Sequence, residues 1–135
     1  MRSLTLSCIV SVLALGIGSS AVPPANGKLQ VAWQNDYEFA RSEARLLTRP
    51  LLVSVTTKWC PACLRLERTT FVDFRVVEFI NQSLVAAKVD ADASPELTKR
   101  LGVERLPTSI VFATDGTVLG RIEGYASPKR YAEGL

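Results

Sequence analysis

Apolar residues in this chain come in short blocks whose spacing switches between helical and extended periods. Trp33, Tyr37, Ala40, Ala44 and Leu47 recur at intervals of three and four, with Asp36, Glu38, Arg41, Glu43 and Arg45 between them, the period of an amphipathic helix. Arg49-Pro50 ends that helix, because a residue before proline is pushed out of the helical region. Leu51 to Val55 is an apolar run too short for a helix and predicts a buried strand. Helical spacing returns from Ala62 to about Glu67, and again from Phe71 to Ile80 with Phe71, Val72, Val76, Phe79 and Ile80 as its apolar set. Leu84 to Val89 predicts a second strand.

Ser94-Pro95-Glu96 then opens a helix: serine caps, proline takes the first position where no amide hydrogen is needed, and an acid faces the positive end. Gly102 terminates it. Ser109 to Ala113 and Val118 to Ile122 are strands on either side of Thr114-Asp115-Gly116-Thr117, and Asp-Gly between such runs signals a hairpin. Ser127-Pro128 caps a short final helix. A strand, helical crossover and strand give a parallel pair, whereas the hairpin is antiparallel. The expected class is therefore α/β, a mixed central β-sheet flanked by helices.

The N-terminal segment follows a different pattern. Arg2 precedes an uncharged run from Leu4 to Ile17, and Ser19-Ser20-Ala21 supplies small residues, the order of a cleaved secretory signal. An uncleaved anchor is the alternative, but the run falls short of the ~20 residues a spanning helix needs. The expected organisation is a signal peptide over 1–21, a flexible leader rich in Pro and Gly over 22–30, and one domain over 31–135. The protein is then exported, periplasmic or extracellular, with no stable membrane insertion after cleavage. Apolar residues at 47% and charged residues at 21% fit a folded globular domain. The net charge of +3 comes from scattered basic residues, which argues against a nucleic-acid partner.

Signal removal changes the cysteine arithmetic. Cys8 departs, leaving Cys60 and Cys63, and no histidine occurs anywhere. A Cys-His nucleophile and a Cys-plus-His metal site are excluded, and two thiolates alone do not complete a tetrahedral zinc site without a second pair or subunit. No metal or other cofactor is expected beyond the redox-active pair itself. An inert disulfide is the structural alternative, although closing so small a loop constrains the unfolded chain little.

A Cys-x-x-Cys between a strand and a helix has a chemical use. The unpaired amides and positive dipole of the helix N-terminus stabilise the Cys60 thiolate as nucleophile, and Cys63, one turn further in and more buried, resolves the mixed disulfide. Pro61 fixes the backbone at the helix start. Trp59, just before the cap, either shields one side of the pair or belongs to the core.

From Leu51 to about Tyr125 the chain resembles the thioredoxin superfamily, and within it the exported branch that includes the C-terminal domain of DsbD. Trp59-Cys60-Pro61-Ala62-Cys63 is similar to the active-site segment, with Pro-Ala between the cysteines. Ala87-Lys88-Val89-Asp90-Ala91-Asp92 through Pro95 resembles the third-strand segment, and Gly102 to Thr108 the approach to the family's cis-proline. Asp115-Gly116 and Gly124 fit the closing hairpin, and the insert Glu67 to Asp73 points to the DsbD-like branch.

The resemblance implies a thioredoxin fold in which Pro107 is cis beside the dithiol and the backbone of Leu106 pairs with an extended substrate segment; otherwise Pro107 simply starts a strand. It makes Trp59, Leu106 and Pro107 substrate-binding residues, with Pro61, Ala62 and Lys88 in support. It also exposes a departure: where the family carries a buried acid six residues before the first cysteine, this chain has Ser54. Lys88 matches the lysine beside that acid, and Glu67 or Glu78 is a candidate replacement.

The implied activity is thiol-disulfide exchange on exported protein disulfides by a monomer, with a redox partner regenerating the dithiol, and the DsbD likeness favours the reducing direction. Two rivals stand beside it: a non-catalytic peptide-binding module, and a copper(I) metallochaperone for which the mature chain offers no further soft ligands.

Overall fold

The computed structural model describes residues 29–135. The signal segment, Cys8 and most of the expected leader lie outside the described residues. The elements run β1 (Trp33–Gln34), α1 (Tyr37–Leu46), β2 (Leu51–Thr56), α2 (Pro61–Thr69), α3 (Phe74–Ser83), β3 (Val85–Asp90), α4 (Pro95–Arg100), β4 (Thr108–Phe112), β5 (Val118–Glu123) and α5 (Pro128–Gly134). The five strands form one mixed sheet in the order β1-β3-β2-β4-β5. β3 runs parallel to β1 and β2, and β4 antiparallel to β2 and β5. This is the expected class and chain order, with one extra strand.

That strand corrects the first helix. Trp33 shares helical spacing with Tyr37, yet it pairs in β1 with Ala86 of β3. Asp36 sets the boundary: extended itself, it accepts a hydrogen bond from the Phe39 amide at 2.9 Å, so the helix starts at Tyr37. Asp73 does the same for α3, accepting from the Arg75 and Val76 amides. Phe71 and Val72 therefore lie before that helix, and the apolar set divides: Phe71, Val76 and Ile80 are buried, whereas Val72 and Phe79 face outward. Ser94 and Ser127 occupy cap positions without a side-chain cap hydrogen bond, so at both helices the proline at the start is the effective signal. Gly102 leaves α4 with φ at +65°, where a Cβ would be strained.

Both faces of the sheet are covered. Leu66 of α2, Val76, Val77 and Ile80 of α3 and Tyr131 of α5 pack on Leu52, Ala86 and Val111. Ala40 and Ala44 of α1, with Leu97 of α4 and the adjoining Leu101, pack on Val53, Val55, Val89 and Ile110. No helix among the described residues is long and apolar enough to cross a membrane.

The short α5 is secured by one side chain. Tyr131 is fully buried, meets Phe71 edge-on, and donates its hydroxyl proton to Ser109 Oγ at 2.8 Å. Burial holds its phenol above the ordinary range, so the group stays neutral and donating. Tyr131→Phe leaves the Ser109 hydroxyl without this partner and is expected to lower stability by about 1–2 kcal/mol. A urea titration reads this as a lower midpoint with an unchanged slope.

Candidate active site

The site stands at the end of the sheet where β2 finishes. Thr57, Lys58 and Trp59 make the turn from β2, and Cys60 is the N-cap of α2, with extended backbone at φ −77° and ψ 115°. Pro61 occupies the first helical position, where its missing amide hydrogen costs nothing. The Cys60 sulfur takes the place of a capping oxygen: it accepts from the Cys63 amide at 3.2 Å. Both cysteines are thiols here, and both are buried, Cys60 at 6% exposure and Cys63 at 1%. Cys63 is thus the more buried of the two.

Burial, followed by the hydrogen bond and negative charge of Cys60, pushes the Cys63 thiol from 9.0 up to about 12, against a smaller opposing contribution from the Thr57 backbone. A proton on Cys63 is thereby retained while the pair is reduced.

Trp59 is not core. Its ring is 69% exposed and fixed from one side, the indole N–H donating to Asp92 Oδ2 at 2.7 Å in the turn after β3. Pro107 reaches the same end of the sheet from the other side, since Val55 of β2 is opposite Thr108 of β4. The Leu106–Pro107 peptide is cis, and the Pro107 carbonyl accepts from the Gly124 amide at 2.7 Å. Leu106 is half-buried against the α1 side of the core, Ala62 is half-buried and Pro61 exposed.

Lys88 belongs to a polar layer within the α2 side of the core. Across the sheet, Ser54 of β2 has Lys88 of β3 as one neighbour and Ser109 of β4 as the other. Lys88 Nζ lies 2.9 Å from both carboxylate oxygens of Glu67, with good hydrogen-bond geometry to Oε2 only. Glu67 Oε1, Ser54 Oγ and Thr57 Oγ1 are buried without a hydrogen-bond partner. Of the two candidate replacement acids, Glu67 is thus the one in this layer, while Glu78 accepts from Gln82 on the surface. A cleft of about 460 Å³, bordered by Thr57, Lys58, Leu64, Glu67 and Lys88, opens beside the turn.

Two side-chain pairings were not foreseen from the sequence, Asp92 with Trp59 and Ser109 with Tyr131. Asp92 was seen only as part of a matching segment, and the Ser109–Tyr131 hydroxyl pair joins positions 22 residues apart. Glu67 carried a usable signal, because four residues after Cys63 it falls on the same helical face. Among the described residues no group of three or more His, Cys, Asp or Glu side chains is placed to hold a metal ion.

Residues 37–135 match the family model described as a thioredoxin-like domain. Curated relatives include the thiol:disulfide interchange proteins DsbD of Cronobacter sakazakii and of Salmonella typhimurium. The former is 30% identical over 111 residues, 78% of this chain and 19% of that protein. The latter is 33% identical over 82 residues, 58% of this chain and 14% of that protein. The chain spans less than a fifth of the length of these relatives. Among solved structures, a thioredoxin from Thermus thermophilus superposes with a TM-score of 0.69 at 22% identity, covering 77% of this chain and 83% of that one. A DsbH oxidoreductase superposes at 0.68 and 17% identity, covering 77% and 81%.

Proposed function

The chain belongs to the thioredoxin-like domain family, and from that premise we propose that it is an exported thiol-disulfide oxidoreductase acting on protein disulfides. The observation that carries the proposal is the dithiol at the start of α2, where the Cys60 sulfur accepts the Cys63 amide at 3.2 Å. An anion at that sulfur is stabilised by a donor already in place and by the helix dipole.

In the reducing direction the Cys60 thiolate attacks one sulfur of a substrate disulfide. The substrate S–S bond breaks, a mixed disulfide forms, and the first substrate thiolate leaves and takes a proton. Cys63 then gives up its proton and attacks the Cys60 sulfur. The second substrate thiolate leaves, and two electrons have passed from the Cys60–Cys63 pair, now a disulfide, to the substrate. A dithiol partner restores the starting state by the reverse exchange. Trp59, next to Cys60 in the chain, and the Leu106-Pro107 segment, at the same end of the sheet, serve as walls for the substrate chain in this reading. The likeness to DsbD, named for thiol:disulfide interchange, supports this chemistry, and the order of charged, apolar and small residues over 1–21 supports export.

A glutathione redox titration tests the reading together with its direction. One two-electron transition is expected closer to the about −270 mV of a reducing thioredoxin than to the about −120 mV of an oxidant. A midpoint near the oxidant value reverses the direction. Absence of any transition, with no reduction of a model disulfide peptide, rejects disulfide exchange altogether.

A further inference from the structure

We propose that Arg65 and Tyr125 form a preordered cationic wall of the substrate groove that favours disulfides flanked on one side by an acidic residue. The inference rests on the disulfide-exchange reading and adds to it a substrate preference. Arg65 lies on α2 five residues beyond Cys60, about 8 Å along the helix axis at 1.5 Å per residue. It is exposed, one turn from Ala62, and makes no ion pair among the described residues. Its guanidinium carbon instead sits 4.1 Å over the centre of the Tyr125 ring.

Tyr125 is held in turn from two directions. Its neighbour Gly124 donates to the Pro107 carbonyl at 2.7 Å, which ties the segment to the proline at the mouth of the site. Its hydroxyl lies 3.3 Å from Thr69 Oγ1, and Thr69 donates its own proton to the Arg65 carbonyl at 2.8 Å, so the tyrosine is the donor of that pair. Next to it, Thr70 donates to the Ala126 carbonyl at 2.7 Å. Four contacts thus clamp the 124–126 segment between α2 and Pro107.

This clamping matters because exposed arginines ordinarily lose side-chain entropy when they pair, and surface ion pairs gain little as a result. A guanidinium already stacked on a fixed ring has lost much of that freedom, while its edge donors remain available to a carboxylate. The strand order puts this wall and Trp59 on opposite sides of the dithiol. Trp59 is anchored to Asp92 after β3, Tyr125 follows β5, and Cys60 extends from β2 between them. Asp92 leaves a negative charge on the tryptophan side, so the two flanks of a bound segment meet different fields.

The test uses disulfide-linked peptides that differ in one residue beside the cysteine, acidic, neutral or basic, in one series on the N-terminal flank and in another on the C-terminal flank. In one series kcat/KM is expected to favour the acidic over the basic peptide by about two- to fivefold, the range of an exposed ion pair. Arg65→Glu is expected to invert that ratio, and Tyr125→Leu, which removes the platform, to bring it toward one. Ratios that Arg65→Glu leaves unchanged in both series overturn the charge selection, and a ratio that Tyr125→Leu leaves unchanged overturns the preordered wall. If the unmodified protein reduces none of the peptides, neutral ones included, the exchange reading itself fails, an outcome distinct from turning over all of them equally.

Discussion

Replacing Cys60 with serine is expected to reduce disulfide exchange to background, a loss on the order of a thousandfold or more, as removal of a covalent nucleophile does elsewhere. Cys63→Ser is expected to behave differently. It keeps the attacking thiol and its place at the helix start, so the first step proceeds and the enzyme–substrate mixed disulfide accumulates. The assignment follows from the geometry: Cys60 caps α2 and is the less buried of the two, whereas Cys63 is 1% exposed and holds its proton up to about 12. Mass spectrometry of each variant after incubation with a disulfide peptide gives the answer. Adduct on Cys63→Ser and none on Cys60→Ser supports the assignment, the opposite pattern exchanges the roles, and adduct on neither removes the nucleophile from the site. Cys63→Ser keeps a small polar side chain at a fully buried position, so circular dichroism of the variants confirms that folded protein is compared.

Features legible in the sequence were those whose cause is local. Pro50 and the run after it mark where β2 begins, Asp115-Gly116 closes the β4–β5 hairpin with φ at +91° on the glycine, and Pro61 identifies the helix start that places Cys60. β1 was illegible because two residues carry no period of their own; Trp33 is a strand residue only because Ala86 is there to pair with it. The helical spacing that includes Trp33 is genuine, but Asp36 imposes an extended backbone before the helix can reach it. Within the site the same division holds. The motif displayed its two thiols and its aromatic neighbour, whereas the fate of Trp59 depended on Asp92, 33 residues away. Likewise Ser54 stood out as a missing acid, and only the sheet register shows that it lies between Lys88 and Ser109 with Glu67 paired to the lysine.

That layer bears on the second large effect, the pH dependence of substrate release. Release requires the Cys63 thiolate, and burial is the leading reason why its proton is held up to about 12 in the reduced pair. Two of the remaining causes, the hydrogen bond that the Cys63 thiol donates to Cys60 and the negative charge of Cys60, vanish once Cys60 is bonded to substrate, while burial persists. A thiol raised by burial is mostly protonated at neutral pH, and its reactive fraction grows tenfold per pH unit until the pH reaches its pKa. Ser54 offers a hydroxyl, not a carboxylate, at the position next to Lys88, and the Glu67 carboxylate is paired with that lysine through Oε2. The rate of decay of a preformed mixed disulfide is therefore expected to rise about tenfold per unit between pH 6 and pH 8, close to a hundredfold in all. Stopped-flow measurement of peptide release checks it, and a rate already level at pH 7 would show that an acceptor near Cys63 removes its proton. The same shift acts on stability with a defined sign. Between the ordinary thiol value of 9.0 and about 12, the folded reduced protein keeps a proton that the unfolded chain has lost, so the reduced form becomes less stable as the pH rises through that window. In the oxidised form Cys63 has no proton to hold, while the buried Tyr131 phenol, also held above its ordinary range, destabilises both forms above about pH 10; denaturation measured against pH should therefore show a larger alkaline loss in the reduced protein, beginning near the thiol value of 9.0.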